Sequence, residues 1–108
     1  MKLKNYVNEE DLLFEEIIIG RIEGGYKISI YTEPLRNPSF HFKNKTGDTE
    51  YVFQIKDFKV LEKKGNNNFS SKELKKLEDW LNLQNERKVF KGKTNLEAIR
   101  YAWEIINE

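Results

Sequence analysis

The chain has 108 residues, of which 38% are hydrophobic and fourteen are aromatic, enough apolar material for the core of one domain. It contains no cysteine, which excludes disulfides, thiolate zinc sites and cysteine nucleophiles. The net charge of +1 conceals an asymmetry: residues 1–24 carry three basic and six acidic side chains, whereas residues 56–93 carry eleven basic and six acidic ones. No apolar run approaches the ~18 residues of a membrane span, and an acidic block stands where a signal peptide is apolar. We therefore expect a cytoplasmic protein without membrane contact.

The N-terminal segment, residues 1–13, is predicted to be an acidic arm attached to a single domain over residues 14–108. Asn8 can cap a short helix over residues 8–14, whose acidic first turn suits the positive end of the helix dipole. The five carboxylates between Glu9 and Glu16 lack the spacing of a calcium loop or a metal-dependent nuclease, which favours a solvated acidic surface.

Two hairpins are predicted next. The β-branched run FEEIIIGRI indicates a strand, and Gly24-Gly25 indicates a turn into a second strand, in which Tyr26, Ile28 and Ile30 alternate with polar residues. After a loop between two prolines, a two- or four-residue KTGD turn fixes the register of the second hairpin. That register pairs Phe42 with Tyr51, Phe40 with Phe53, Lys43 with Glu50 and His41 with Val52. The aromatic residues and Ile55 then face the core, and the other face points outward.

The C-terminal half is predicted to hold one more strand, or a bulged extension of the last one, and two helices. The helices span roughly residues 71–85 and 95–107, and both begin with a capping box, Ser70 with Glu73 and Thr94 with Glu97. Trp80 and Trp103 fall on their apolar stripes, and Phe90 is expected to fix the interhelical loop to the core. The predicted fold class is α+β: an antiparallel sheet of four or five strands over roughly residues 15–62, followed by two helices packed on one face.

His41 is the only histidine, so it is the first candidate for a general base or a metal ligand. A metal site needs further ligands at short spacing, and neither a second histidine nor a DxD motif is present. The sequence therefore favours a partly exposed strand residue, whose replacement by alanine should leave folding nearly intact. We predict no catalytic residue, no metal site and no cofactor.

Two surfaces are candidates for binding. The first is the loop and strand formed by Arg36, Asn37, Ser39, His41 and Lys43, in which prolines stiffen the loop. The second is the basic segment ERKVFKGK, where Arg87, Lys88, Lys91 and Lys93, helped by lysines of the preceding helix, can contact phosphates. A sequence pI near 7.9 is lower than that of most dedicated nucleic-acid binders.

The segments GRIEGGYKISIYTE, NPSFHF, EYVFQIKDFKVLE and YAWEIINE resemble a family of small bacterial and phage proteins described as a domain of unknown function. The hallmark of that family is a Pro-Pro-His-x-His-Val strand, and its members are often encoded in pairs that resemble toxin–antitoxin genes. Pro38, His41 and Phe42 match the second proline, the second histidine and the valine, whereas Asn37 and Ser39 replace the first proline and the first histidine. The resemblance covers about residues 17–107 and implies a fold and a genomic setting, but no reaction.

These observations together predict a small non-enzymatic protein that binds another macromolecule, as an accessory or regulatory protein of a bacterium or its phage. The expected partner is another protein. Two alternatives remain at this point: a phage virion or assembly component, and a nucleic-acid-binding module that uses residues 86–93.

Overall fold

The computed structural model describes residues 16–32 and 37–107, and the predicted arm and the helix over residues 8–14 lie outside these ranges. The described chain is an α+β fold, as predicted: a five-stranded antiparallel sheet precedes two α-helices. The strands are β1 (Glu16–Ile22), β2 (Tyr26–Tyr31), β3 (Ser39–Lys43), β4 (Glu50–Gln54) and β5 (Val60–Lys64), and they lie side by side in chain order. A 3₁₀ turn, Lys88–Phe90, connects the helices α1 (Ser71–Leu81) and α2 (Asn95–Ile106).

The first hairpin forms because Gly24 and Gly25 adopt φ values of 104° and 90°, which residues with a Cβ avoid. The N–H of Gly25 donates to the carbonyl of Ile22 at 3.2 Å and closes the turn. Further along β1, the register with β2 shifts between Ile18 and Gly20, which marks a β-bulge. β1 is an edge strand of the sheet, and a bulge bends such a strand and interrupts its regular pairing.

The second hairpin has the predicted register in all four pairs, including Phe42 opposite Tyr51 and Lys43 opposite Glu50. The four-residue alternative for its loop is the one observed, since Asn44 and Thr49 are hydrogen-bonded at 3.1 Å. Facing the helices, the side chains of Phe40 and Phe42 are completely buried. Phe42 packs on Phe69, which precedes α1, with 4.5 Å between the ring centroids.

Both helices begin at the predicted capping boxes, because the Ser70 and Thr94 side chains accept from the N–H groups of Glu73 and Glu97. Phe90 is fully buried, as predicted, while Trp80 and Trp103 are only partly buried against the core. Within the described ranges, neither helix is long and apolar enough to cross a membrane.

The first helix ends at Leu81, four residues before the predicted end. The side chain of Asn95 donates to the carbonyl of Trp80 at 2.7 Å, and the Asn95 backbone N–H donates to the carbonyl of Leu83 at 2.8 Å. These bonds satisfy carbonyls that another helical turn would otherwise use, so the chain turns toward α2. Leu83 is left 59% exposed.

Candidate functional site

Opposite the helices, the sheet carries a polar network that extends across four strands. Because side chains alternate along a strand, the observed register places one set of polar residues on this face. They are Glu16 on β1, Lys27, Ser29 and Tyr31 on β2, His41 and Lys43 on β3, and Glu50 on β4. We call this set the polar network; it includes two of the residues that the sequence indicated for binding.

His41 lies at the centre of the polar network and is only 4% exposed, so the expected partial exposure is wrong. The orientation away from the helices is correct, but Glu50 Oε2 accepts a hydrogen bond from His41 Nδ1 at 2.5 Å. The ring of Tyr31 meets the imidazole edge-on, with 4.4 Å between the centroids. The alternation of side chains along a strand shows which face of the sheet a residue lies on, but it does not show whether that face is buried.

Glu50 is the acidic centre of the network. Burial alone would raise the pKa of its carboxyl group, but the hydrogen bond from His41 and the charges of His41, Lys43 and Lys64 outweigh burial and lower that pKa. The two lysine ammonium groups lie 3.8 Å from the carboxylate. Glu50 is therefore ionised at neutral pH, and the nearby lysines balance its negative charge.

Glu16 has a similar environment at the edge of the sheet. Its Oε2 accepts from Tyr31 Oη at 2.7 Å and from Ser29 Oγ at 2.8 Å, and the Lys27 ammonium lies 3.0 Å away. Burial would raise the pKa of Glu16, but these partners lower it to about 2. Burial, followed by the bond to Glu16, raises the pKa of Tyr31. The Lys43 ammonium donates to Tyr31 Oη at 2.9 Å and links the two acidic centres.

The remaining residues of the predicted binding loop are not all at the surface. Asn37 is exposed, and its side chain donates to Gln54 Oε1 at 3.0 Å. Ser39 is fully buried, and its hydroxyl has no hydrogen-bond partner among the described residues. Arg36 lies outside the described residues. Their role in binding stays a prediction, although Ser39 and His41 do not present an accessible surface.

No three histidine, aspartate or glutamate side chains of residues 16–32 and 37–107 cluster closely enough to hold a metal ion. The polar network joins carboxylates to cations and hydroxyls, and this pairing stabilises charges within the sheet. We assign it a structural role.

The basic segment of residues 86–93 is partly engaged with the rest of the protein. Arg87 Nη1 donates to the carbonyl of Ile18 at 2.6 Å, and its guanidinium group lies over the ring of Phe90. The Lys93 ammonium lies 4.5 Å from the ring centroid of Tyr101. Lys88 and Lys91 are exposed. Two of the four predicted phosphate contacts therefore have partners within the protein, and phosphate contact by this segment stays a prediction.

A groove of about 600 Å³ lies between the edge strand β1 and α1. Residues 20–23 line it on the side of β1, and Lys76, Trp80 and Leu83 line it on the side of the helix. Asn85 and Arg87 close one end, because their side chains donate to the carbonyls of Ile19 at 2.9 Å and Ile18 at 2.6 Å. We call this feature the β1–α1 groove.

Close contact between Gly20 and Trp80 forms the floor of the β1–α1 groove. A Cβ atom on residue 20 would lie 2.7 Å from Cζ2 of the indole, so only glycine allows the ring to rest against β1. Two sequence signals could have indicated this groove. They are Gly20 and Leu83, an apolar residue that lies outside the apolar stripe of α1. Their pairing depends on the tertiary structure.

Charged residues of both signs line the β1–α1 groove: Arg21, Lys76 and Arg87 are basic, and Glu23, Asp79 and Glu86 are acidic. An apolar floor with a polar rim is typical of surfaces that bind peptides or small ligands. No described strand pairs with the outer side of β1, which leaves backbone hydrogen-bonding groups along one wall. Chemically, the groove can accept an extended chain that places an apolar side chain on Trp80 and Leu83.

Comparison with known proteins gives one match. The model of a family described as "Domain of unknown function (DUF4160)" matches residues 25–90, more than half of the chain. No curated protein and no solved structure matches this chain. The matched region includes β2 to β5 and α1, and it ends at the 3₁₀ turn.

Proposed function

Because the chain belongs to the DUF4160 family, whose function is unknown, we propose its role from the β1–α1 groove. The protein is a non-enzymatic accessory module that captures an extended segment of another protein. It acts in the cytoplasm of a bacterium or a phage-infected cell, a setting that the resemblance to bacterial and phage proteins supports. The observation that carries this proposal is a groove between α1 and an edge strand whose outer side pairs with no other described strand.

This geometry is suited to β-strand addition, in which a peptide extends a sheet and hydrogen-bonds to the edge strand. The carbonyls of Ile18 and Ile19 already accept hydrogen bonds from Arg87 and Asn85. Residues 20–23, which follow them along β1 and line the groove, are the ones that a peptide would pair with in this proposal. Asn85 and Arg87 set the end at which such a chain must stop.

An apolar side chain of the peptide provides the anchor in this proposal. Leu83 is 59% exposed and Trp80 is partly buried, and both line the same groove. Covering them removes apolar surface from water, which contributes roughly 25 cal/mol per Å². The mixed charges of Arg21, Lys76 and Glu23 then select the polar residues of the partner.

Nucleic-acid binding has weaker support. The Arg87 side chain donates to the carbonyl of Ile18 and the Lys93 ammonium lies over the ring of Tyr101, so two of the four predicted phosphate contacts are engaged within the protein, whereas Lys88 and Lys91 are exposed. A protein that binds phosphates through two lysines has a shallow salt dependence.

The test is a selection of extended peptides from a display library against the full chain, followed by affinity measurements with fluorescently labelled peptides. We expect peptides with a central apolar residue to bind, and Leu83→Glu to weaken binding at least tenfold, as loss of a central anchor does. In nuclear magnetic resonance spectra, the amides of residues 20–23 and the Trp80 indole should shift on binding.

The matched control is Val89→Glu, because Val89 is another exposed aliphatic residue of the interhelical segment and does not line the groove. We expect it to retain affinity within about twofold of the unmodified protein. Equal losses in Leu83→Glu and Val89→Glu, or a selection that yields no peptide, would refute this function.

A further inference from the structure

We propose a second interaction surface at the opposite edge of the sheet, formed by residues 55–58 and β5, which binds an acidic extended segment of a partner protein. Strand order places β5 at the far end of the sheet from β1, so this surface is separate from the β1–α1 groove. The proposal goes beyond the function above, because it adds a second contact and specifies the charge of its partner. We call it the basic edge.

The backbone conformation of Phe58 is the first feature that supports this surface. Its φ of 59° is the only positive value of a non-glycine residue among the described residues, and a bulky side chain rarely adopts it. The ring is nevertheless 41% exposed to solvent. A strained backbone beside an exposed aromatic ring is a feature that occurs often at binding sites.

The turn that carries Phe58 is firmly held. Gln54 N–H donates to the Lys59 carbonyl at 2.7 Å, and Phe58 N–H donates to the Gln54 carbonyl at 2.8 Å. Asp57 Oδ1 accepts from Lys59 N–H at 3.0 Å and from the Gln54 side chain at 2.9 Å. The turn therefore holds the backbone of Phe58 in one conformation, which reduces the backbone entropy lost on binding.

A second exposed apolar residue adjoins this turn. Val60 begins β5, pairs with Phe53 on β4 and is 36% exposed. The ring of Phe58 contacts the buried Phe40 edge-on, with 6.2 Å between the centroids. The helices pack on β1 and β2, so they do not cover this end of the sheet. Phe58 and Val60 form an apolar pair beside a strand edge.

The edge itself is open and basic. No described strand pairs with the outer side of β5, which leaves backbone donors and acceptors for another chain. Lys56, Lys59, Lys63 and Lys64 are all exposed, and the same segment holds two acidic residues, Asp57 and Glu62. The Lys63 ammonium lies over the ring of Tyr51, and the Lys64 ammonium lies 3.8 Å from the Glu50 carboxylate, so the proposal relies chiefly on Lys56 and Lys59. This charge favours an acidic partner strand and opposes pairing with a second copy of the chain, because two basic edges repel each other.

The test measures fluorescence anisotropy with two labelled ten-residue peptides, one that alternates valine with glutamate and one that alternates valine with lysine. We expect the glutamate peptide to bind, with an affinity that falls as sodium chloride rises from about 50 to about 300 mM. The lysine peptide should not bind. On binding, amide hydrogen exchange in β5 should slow.

Two variants of the basic edge test the two kinds of contact. Phe58→Gly removes the ring and accepts positive φ, so its thermal midpoint should stay near that of the unmodified protein while affinity falls at least fivefold. Lys56→Glu together with Lys59→Glu changes the net charge of residues 55–64 from +2 to −2, so affinity should fall at least fivefold and should no longer decrease as salt rises. Leu83→Glu, which lies in the β1–α1 groove, is the matched control and should bind the glutamate peptide normally.

Three results would overturn the basic edge as a binding site. They are equal affinity for both peptides, unchanged affinity in Phe58→Gly, and a loss of affinity in Leu83→Glu. A concentration-dependent dimer that Lys59→Glu abolishes would overturn the acidic partner in favour of a second copy. None of these outcomes affects the peptide selection at the β1–α1 groove, because that selection depends on Leu83.

Discussion

The two faces of the sheet are both buried near their centres, but they are buried by different chemistry. Toward the helices, Phe40, Phe42 and Tyr51 pack among other aromatic rings. On the opposite face, His41 and Glu50 are 4% and 7% exposed, yet both are polar. An apolar side chain needs only to leave water, whereas a polar one also needs a partner. Burial alone therefore does not identify a hydrophobic core.

This difference has an energetic consequence. The aromatic face is stabilised in proportion to the apolar area that it buries. Because phenylalanine side chains do not ionise, their contribution does not change with pH. The polar network depends on the charges of Glu16 and Glu50 and on the donors that surround them. Substitutions on the two faces should therefore differ in size and in their response to pH.

The largest effect is expected at Phe42, on the aromatic face. The side chain is completely buried and contacts the rings of Tyr26 and Phe69, so Phe42→Ala leaves a cavity between sheet and helices. We expect the free energy of unfolding to fall by about 3–5 kcal/mol in urea denaturation at neutral pH. Leu83→Ala, at an exposed position, is the control and should change it by less than about 1 kcal/mol. A similar small change at Phe42 would contradict the packed aromatic face.

A smaller loss is expected at Glu50, on the polar face. Glu50→Ala removes the acceptor of His41 and the counter-charge of Lys43 and Lys64, and it leaves a buried imidazole without this partner. We expect a loss of about 2–4 kcal/mol, below the usual cost of breaking a fully buried pair because Lys64 is half exposed. Urea denaturation at pH 7 provides the measurement.

The control for Glu50 is Glu104→Ala, at an exposed position of α2, which should change the free energy of unfolding by less than about 0.5 kcal/mol. If Glu50→Ala were equally mild, the polar network would contribute nothing and the face would behave as a surface. That outcome would also restore the sequence-based expectation that His41→Ala leaves folding nearly intact.

Local sequence signals were sufficient for most of the fold. Gly24-Gly25 requires positive φ, the aromatic residues of β3 and β4 fix a register, and Ser70 and Thr94 fix the helix starts. Each of these features depends on residues close together in the chain. The position of the first helix end was wrong because it depends on Asn95, which comes from the following helix.

The candidate site could not be predicted in the same way. His41 and Glu50 face the same side by parity, but their burial depends on what the whole chain places around them. The β1–α1 groove needs Gly20 beside Trp80, sixty residues apart in the chain, and the strain at Phe58 is visible only in its φ angle. These features arise from long-range packing, for which a single sequence carries no direct signal.

The smallest and most selective effect concerns Glu16 in acid. Its pKa is lowered from the ordinary 4.5 to about 2 in the folded protein, so the unfolded chain binds a proton first as pH falls. The stabilisation from Glu16 is therefore complete above about pH 4.5 and is lost as pH decreases toward about 2. Screening by solvent reduces it to about 1–2 kcal/mol.

Other carboxyl groups with lowered pKa values, including Glu50 and Asp57, also weaken the fold in acid, so the informative quantity is a difference. We expect Glu16→Gln to be less stable than the unmodified protein by about 1–2 kcal/mol at pH 7 and equally stable near pH 2, in urea titrations at several pH values. The deficit of Phe42→Ala should instead persist throughout, because no ionisable group is removed. A Glu16→Gln deficit that does not change with pH would mean that Tyr31, Ser29 and Lys27 stabilise the residue by shape and hydrogen bonding, without selecting its charge.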